Sequence, residues 1–328
     1  MCKTDDMRPH DRIASQLIRA LRGRRSQAQL SRRLGYASNV VFDWETGRRF
    51  PTAAVTLRVA RACGVDVRAA LERFLPAQGW RRVDAASPRG IVLLLENLRG
   101  GQQLNALAQA TGQSRFAISR WLRGRTEPRL PDFLALVDAS SLRLLDFLAT
   151  LVDPQSIPLL RDEWQQLTLA RKLAYEVPWS HAVLRALELD AYRALRRHVP
   201  GLIAGWLGIS VEEEARCLEL LSQAGQIHRA RGRYRVDEAR TVDTRYDPVR
   251  ARELRAFWSG VGNTRMLAGG DGEFAFNLFS VSSADLERLR KLQQAYFQEL
   301  RAIVARSEPA EQVALVNLQL LPLTWPPA

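Results

Sequence analysis

Cysteine, histidine and lysine are all scarce in this chain. Its three cysteines, Cys2, Cys63 and Cys217, stand far apart in 328 residues. An odd number at long spacing offers neither a disulfide framework nor a thiolate metal site. The four histidines, His10, His181, His198 and His228, form no metal-ligand spacing. No window supplies the roughly 18 uninterrupted apolar residues of a membrane span, and the start, MCKTDDMRPHD, has no apolar signal region. These absences predict a soluble, cytoplasmic protein with no metal site and no membrane partner. The glycine-containing stretches GVGNTR (260–265) and GGDG (269–272) lack the Lys and Ser/Thr of a phosphate loop. The Arg, His and nucleophile set of a DNA recombinase cannot be assembled either. The sequence therefore reads as a non-enzyme, with no catalytic residue and no cofactor.

Positive charge is plentiful and unevenly placed. The net charge is +13, but residues 1–152 hold 25 Lys and Arg against 13 Asp and Glu, while residues 153–328 hold 23 against 22. The surplus marks the amino-terminal half as the place for a polyanion. Genomic base composition explains why arginine outnumbers lysine 45 to 3. It does not explain where the excess falls.

That half is internally repeated. LSRRLGYASNVVFDWETGRRFP (30–51) returns as LAQATGQSRFAISRWLRGRTEP (107–128), offset by 77 residues without a gap. Leu30 aligns with Leu107, Gly35 with Gly112, Val41 with Ile118, Trp44 with Trp121, Gly47 with Gly124, Arg48 with Arg125 and Pro51 with Pro128. In the first copy, residues 27–34 form one helix ended by Gly35, and Ser38 is expected to cap a second helix over 38–45. That second helix buries Val41 and Trp44 and leaves Ser38, Asn39, Val40, Phe42 and Asp43 outside, the spacing of a helix-turn-helix whose second helix enters the major groove. In the second copy the outward set is Ser114, Arg115, Phe116, Ala117, Ser119 and Arg120.

These residues resemble the lambda-repressor-like (Cro/CI, xenobiotic-response-element) helix-turn-helix family. Trp44, Glu45, Gly47, Arg48 and Pro51 stand in the family's pattern. The second copy keeps Trp121, Gly124, Arg125 and Pro128 but has Leu122 where Glu is common. The resemblance implies duplex DNA as partner. Asn39 and Arg115 are the candidates for base contacts, because Asn suits adenine and Arg suits guanine. Either can instead meet the backbone. Arg22, Arg48, Arg49, Arg99 and Arg125, in the flanking turns, are the candidates for phosphates, and Gln27 for a phosphate at its helix N-terminus. Phe42 and Phe116 on outward faces keep a packing role open.

The expected architecture is mainly α. Two tandem five-helix helix-turn-helix domains (11–76 and 90–152) flank a linker (77–89), which when extended places the recognition helices about one DNA turn, roughly 34 Å, apart. A helical connector (156–199) follows, with Trp164 and Trp179 as core anchors. Residues 200–246 read as a degenerate winged helix whose second helix opens with Glu212, Glu213 and Glu214, which repel phosphate. Its wing arginines Arg229, Arg231, Arg233 and Arg235 suit either a DNA backbone or a solvated strand face, the second being the plainer account. Residues 247–328 read as a small α/β module, with strands over 274–281 and 312–323 around a helix over 283–306 carrying Leu286, Leu289, Leu292, Tyr296 and Leu300 in register. From about residue 88 onward the chain resembles a bacterial family of unknown function with a repressor-type domain and a carboxy-terminal α/β module. Together these readings predict a sequence-specific regulator of transcription. Its carboxy-terminal half is expected to form a homodimer or sense a small-molecule or protein effector, with Trp258 either lining a pocket or in the core. The competing readings are a scaffold whose helix-turn-helix units bind protein and, less favoured for want of aromatic platforms, an RNA binder.

Overall fold

The chain is mainly helical, and many of its helices start at a capping oxygen or a proline. The computed structural model describes residues 8–75, 80–237, 242, 244, 246–304 and 307–324. It comprises two units, Met1–Gln165 and Gln166–Ala328. In the first, α1 (Pro9–Arg22) has proline at its start and ends at Gly23, φ 61°. Ser26 accepts a bond from Gln29 N and opens α2 (Gln27–Arg33). Helix α3 (Val40–Glu45) is followed by α4 (Ala53–Ala62), capped by Thr52, and α5 (Val67–Phe74), capped by Asp66. Then come α6 (Pro88–Arg99), α7 (Leu104–Thr111), α8 (Arg115–Leu122), α9 (Leu130–Ser141) and α10 (Leu144–Ala149). Each helix of this second set covers positions about 77 residues beyond its counterpart in α1–α5.

The two sets share one core. Leu17, Leu30, Trp44, Leu57 and Leu71 join Leu94, Leu107, Trp121, Leu134 and Leu148 in a single apolar cluster. Phe74 of α5 meets Phe147 of α10 edge-on at 5.4 Å. Helix α1 packs on α9, and α4 on α6. At the centre Ala53 N donates to Pro128 O at 3.0 Å and Leu130 N donates to Pro51 O at 2.8 Å. Since Pro51 corresponds to Pro128 and Ala53 to Leu130, the exchange is reciprocal. It is the form that a twofold contact between identical subunits takes.

This overturns the picture of an extended tether between the sets. Trp80–Arg82 is a short 3-10 helix, and Trp80, Ala85 and Ala86 lie in the shared core. Trp80 is 1% exposed and donates its indole N–H to Leu75 O at 3.1 Å. A Cβ on Gly90 would lie 2.5 Å from Asp84 O, so the incoming strand of chain is pressed onto α6. Burial of one indole outweighs the solvation of the charged residues around it.

The start of the recognition helix also differs from expectation. Helix α3 begins at Val40, with Asn39 rather than Ser38 at the cap position and no side-chain cap bond. Asn39 Oδ1 instead accepts from the Ser31 hydroxyl at 3.2 Å, which ties it to α2. The polar stretch 1–10 reads in sequence as a disordered start, and residues 1–7 of it lie outside the described residues. From Arg8 onward the chain is ordered: Arg8 pairs with Asp11 and Asp132, and His10 meets Asp138.

The second unit takes up α11 (Arg161–Glu176), which crosses the unit boundary, and adds α12 (Trp179–Ala186), α13 (Asp190–Arg193), α14 (Leu202–Leu207) and α15 (Val211–Gln223). An antiparallel hairpin follows, β1 (Ile227–Ala230) and β2 (Arg233–Val236), with Arg229 opposite Tyr234. Leu173, Val183, Tyr192, Ile203, Cys217, Leu221 and Ile227 form its core. Glu214 is 1% exposed. Its carboxylate accepts from Ala204 N at 2.6 Å and Gly201 N at 3.3 Å, at the start of α14. One of the three expected surface carboxylates is thus a buried helix cap.

The carboxy-terminal segment holds α16 (Pro248–Leu267) and α17 (Ser283–Val304). The strands expected over 274–281 and 312–323 are not formed. A strand needs an edge to pair with, and the only sheet among the described residues is the β1–β2 hairpin. Side chains hold the second segment instead: Asn317 Nδ2 donates to Trp258 O at 2.9 Å and Gln319 Nε2 to Ser259 Oγ at 3.0 Å. The register face of α17 is poorly covered, with Leu292 65% and Tyr296 47% exposed. Trp258, half-buried, meets Trp179 and Phe257 edge-on and packs against the core.

Replacing Trp80 by alanine is expected to destabilise the first unit by about 3–5 kcal/mol, the usual loss for a buried aromatic. Amide exchange of α5, α6 and α10 measures it. A loss confined to residues near 80 would mean that the segment is a dispensable linker.

Candidate nucleic-acid interface

The outward face of the first unit is built on helices too short to stand alone, so their orientation is set by what they bury. In α3, Val41 and Trp44 are buried, and Trp44 meets Tyr36 edge-on at 5.7 Å. This turns Asn39 and Phe42 to solvent and leaves Val40 and Asp43 half-buried. Arg48 and Arg49 follow, both exposed, with their N–H groups on Asp43 O. The Arg48 guanidinium lies 5.1 Å from the Phe42 ring, so both side chains are held against the helix. In α8, Ile118, Trp121 and Leu122 are buried, while Ser114, Arg115, Phe116 and Arg120 are exposed and Ser119 is half-buried. Ser114 is the true cap, accepting from Ala117 N at 3.1 Å. Phe116 is 82% exposed, and Arg125 is exposed in the turn beyond.

Behind the first turn lies a charged knot that the sequence reading missed. Glu45, its side chain 1% exposed, accepts from Arg22 Nε at 2.5 Å and from Gln27 Nε2 at 2.7 Å, with Arg19 Nε at 3.8 Å. Gln27 therefore spends its amide on Glu45, and Arg22 is clamped by the same carboxylate. The bond to Glu45 raises the Arg22 pKa further above its ordinary value. The corresponding positions of the second set are Leu104, Leu122 and Arg99. There the polar pair is replaced by two leucines packed into the core, and the half-buried Arg99 side chain has no ion-pair partner among the described residues. The paired change of Gln27 and Glu45 to Leu104 and Leu122 was visible in the repeat itself.

Charge follows the same face. Residues 8–75 carry 14 arginines against five acidic residues. Arg24, Arg32, Arg33, Arg48 and Arg49 are exposed around α2 and α3. Together they make the surface around these two helices strongly basic. Of the histidines, His181 is pushed down to about 4 by burial, with Arg185 adding to the shift, and so stays neutral at ordinary pH.

Fold and outward face together fit a helix-turn-helix domain in the first helix set. Residues 14–74 match the family model of a helix-turn-helix domain. Residues 161–323 match a second model, described as Domain of unknown function (DUF4423). No curated protein and no solved structure matches the chain. No helix among the described residues is long and apolar enough to cross a membrane.

Glu45→Ala, which strands a buried guanidinium and amide, is expected to cost roughly 3 kcal/mol. The double change Gln27→Leu with Glu45→Leu, copying the second helix set, should recover at least half of that loss. Amide exchange over residues 27–46 reads both. No recovery in the double variant would mean that the two sets are not interchangeable at this position.

Proposed function

We propose that the chain is a sequence-specific double-stranded DNA-binding regulator of transcription and that α6–α10 form a second helix-turn-helix domain of the repressor-like type. The observation that carries this reading is the reciprocal contact around Pro51 and Pro128, which fixes two exposed recognition helices, α3 and α8, within one core. A reciprocal pair suits two half-sites in inverted orientation. The outward residues differ between the copies, so the half-sites differ too. Arg115 and Arg120 favour guanine, Asn39 favours adenine, and Phe116 suits a thymine methyl group. The arginines around α2 and α3 supply salt-dependent affinity.

The second unit would join two chains and carry any response to an effector. Support for a homodimer lies in the apolar side chains that this segment leaves in water. Phe276 is 90% exposed, Leu278 72% and Leu318 47%, more than an isolated soluble surface normally shows. The competing reading, a protein-binding scaffold, draws on Phe116, whose exposed ring also fits an apolar partner.

Selection from a random duplex pool at two salt concentrations tests the main reading. One enriched motif made of two unlike inverted half-sites is the expected outcome, and competition by a protein ligand without enrichment would favour the scaffold. Arg48→Ala is expected to weaken binding to all sequences and to lower the salt slope by about 0.9. Arg115→Ala should cost about 1–3 kcal/mol at one base position only. Light scattering should give a dimer mass for the full chain and a monomer mass for Leu278→Asp with Leu318→Asp; a monomeric parent chain would remove the dimer.

A further inference from the structure

The second unit holds an arginine cluster that no carboxylate among the described residues neutralises. The hairpin turn is made by Arg231, φ 51°, and Gly232, φ 83°. A left-handed backbone is uncommon for a residue with a side chain, so the arginine at the tip sits in a conformation that it does not prefer. The segment before α14 is fastened beneath this turn. His198 N donates to Gly232 O at 2.9 Å, and Arg233 Nη1 donates to Leu195 O at 3.1 Å. A Cβ on Gly232 would touch Arg197 Cβ at 3.4 Å. Arg196 and Arg197 are thus brought to the turn that carries Arg229, Arg231, Arg233 and Arg235. Arg229 lies 6.0 Å from the Tyr234 ring.

Among the described residues, the nearby acids are occupied elsewhere. Asp237 bonds His228 at 2.6 Å, Asp190 lies 3.9 Å from Arg193, and Glu214 is buried under α14. None of the six arginines forms an ion pair among the described residues, although residues 153–328 as a whole are nearly neutral, 23 against 22. Four of them stand within residues 229–235 of the sequence, with Arg233 and Arg235 on one face of the hairpin and Arg229 on the other, and the fold adds Arg196 and Arg197 beside the turn. A cavity of about 270 Å³, lined by Leu187, Arg193, Arg233, Tyr234, Arg235 and Val236, opens beside the strand.

We infer that this hairpin is a second phosphodiester-binding surface and that its ligand is the backbone of duplex DNA. Guanidinium groups bind phosphate through paired N–H donors, and the cavity admits one such group among three of them. Glu212 and Glu213 at the exposed start of α15 keep that helix out of a groove, so the contact is made by the hairpin alone and reads no bases. Single-stranded RNA would call for stacking platforms, and Tyr234 is half-buried. A membrane surface would call for apolar side chains, and the hairpin exposes no large one. This surface is separate from the first unit, and its failure is distinguishable from failure of the proposed function.

The test uses the full chain with a fluorescent random-sequence duplex, and reads the dependence of affinity on salt. The triple variant Arg196→Ala, Arg231→Ala and Arg235→Ala should lower the slope of log affinity against log salt by about 2–3, from about 0.9 per phosphate contact. The same fall is expected when Arg48, Arg120 and Arg125 are also alanine, and the corresponding lysine triple should restore most of the slope, which separates lost charge from lost folding. An unchanged slope in both backgrounds overturns the inference, as does a loss seen only with anionic vesicles or single-stranded RNA. A first-unit triple that leaves the slope untouched counts against the proposed function alone.

Discussion

Everything in the first unit depends on the exchange of two backbone hydrogen bonds around Pro51 and Pro128. Proline has no N–H, and each residue two places beyond it supplies the donor that the opposite carbonyl accepts. Two such bonds are worth only about 1–3 kcal/mol net. Their importance lies in what they align: α1 comes to rest on α9 and α4 on α6. The apolar faces of two small helix sets close on each other instead of on water. A set of about 65 residues has little interior for its surface and is marginal by itself. Sharing a core answers that shortage.

Within this frame the two sets solve one local problem by different means. The first buries a carboxylate and answers it with Arg22 and Gln27. The second buries Leu122 and leaves Arg99 unanswered. A buried ion pair tends to be no better for stability than a well-packed apolar pair, but it fixes geometry and occupies its partners. One consequence is that equivalent arginines differ in availability. Arg22 belongs to the fold, whereas Arg99 remains free to meet an anion.

Much of the first unit was legible in the sequence because its signals are local. Helical periodicity and the 77-residue offset mark the helix-turn-helix pairs to within a few residues, whereas the one cap expected, Ser38, lies a residue before the observed cap position. The buried tryptophans Trp44 and Trp121 follow from the same spacing. The linker was misread because Pro76, Gly79 and several charges mark a loop whether or not it is packed, and nothing local says that Trp80 has a core to enter. The Gln27–Glu45 bond spans 18 residues and could be inferred only by comparing the copies. At the far end, β-forming side chains in 274–281 and 312–323 declare a preference that pairing alone can realise. The pattern names the residues that want a sheet, and says nothing of where its edge is.

The joining of the two helix sets in one chain has a consequence for concentration. Two readers on separate subunits must find each other before they can act as a pair, so the fraction assembled falls on dilution. Here the two sets stand in one chain, α5 ending at Phe74 and α6 beginning at Pro88, and Trp80 between them is buried in the shared core. The pair is complete in every molecule, at any abundance, and each half is free to change its outward residues without having to stay complementary to a copy of itself.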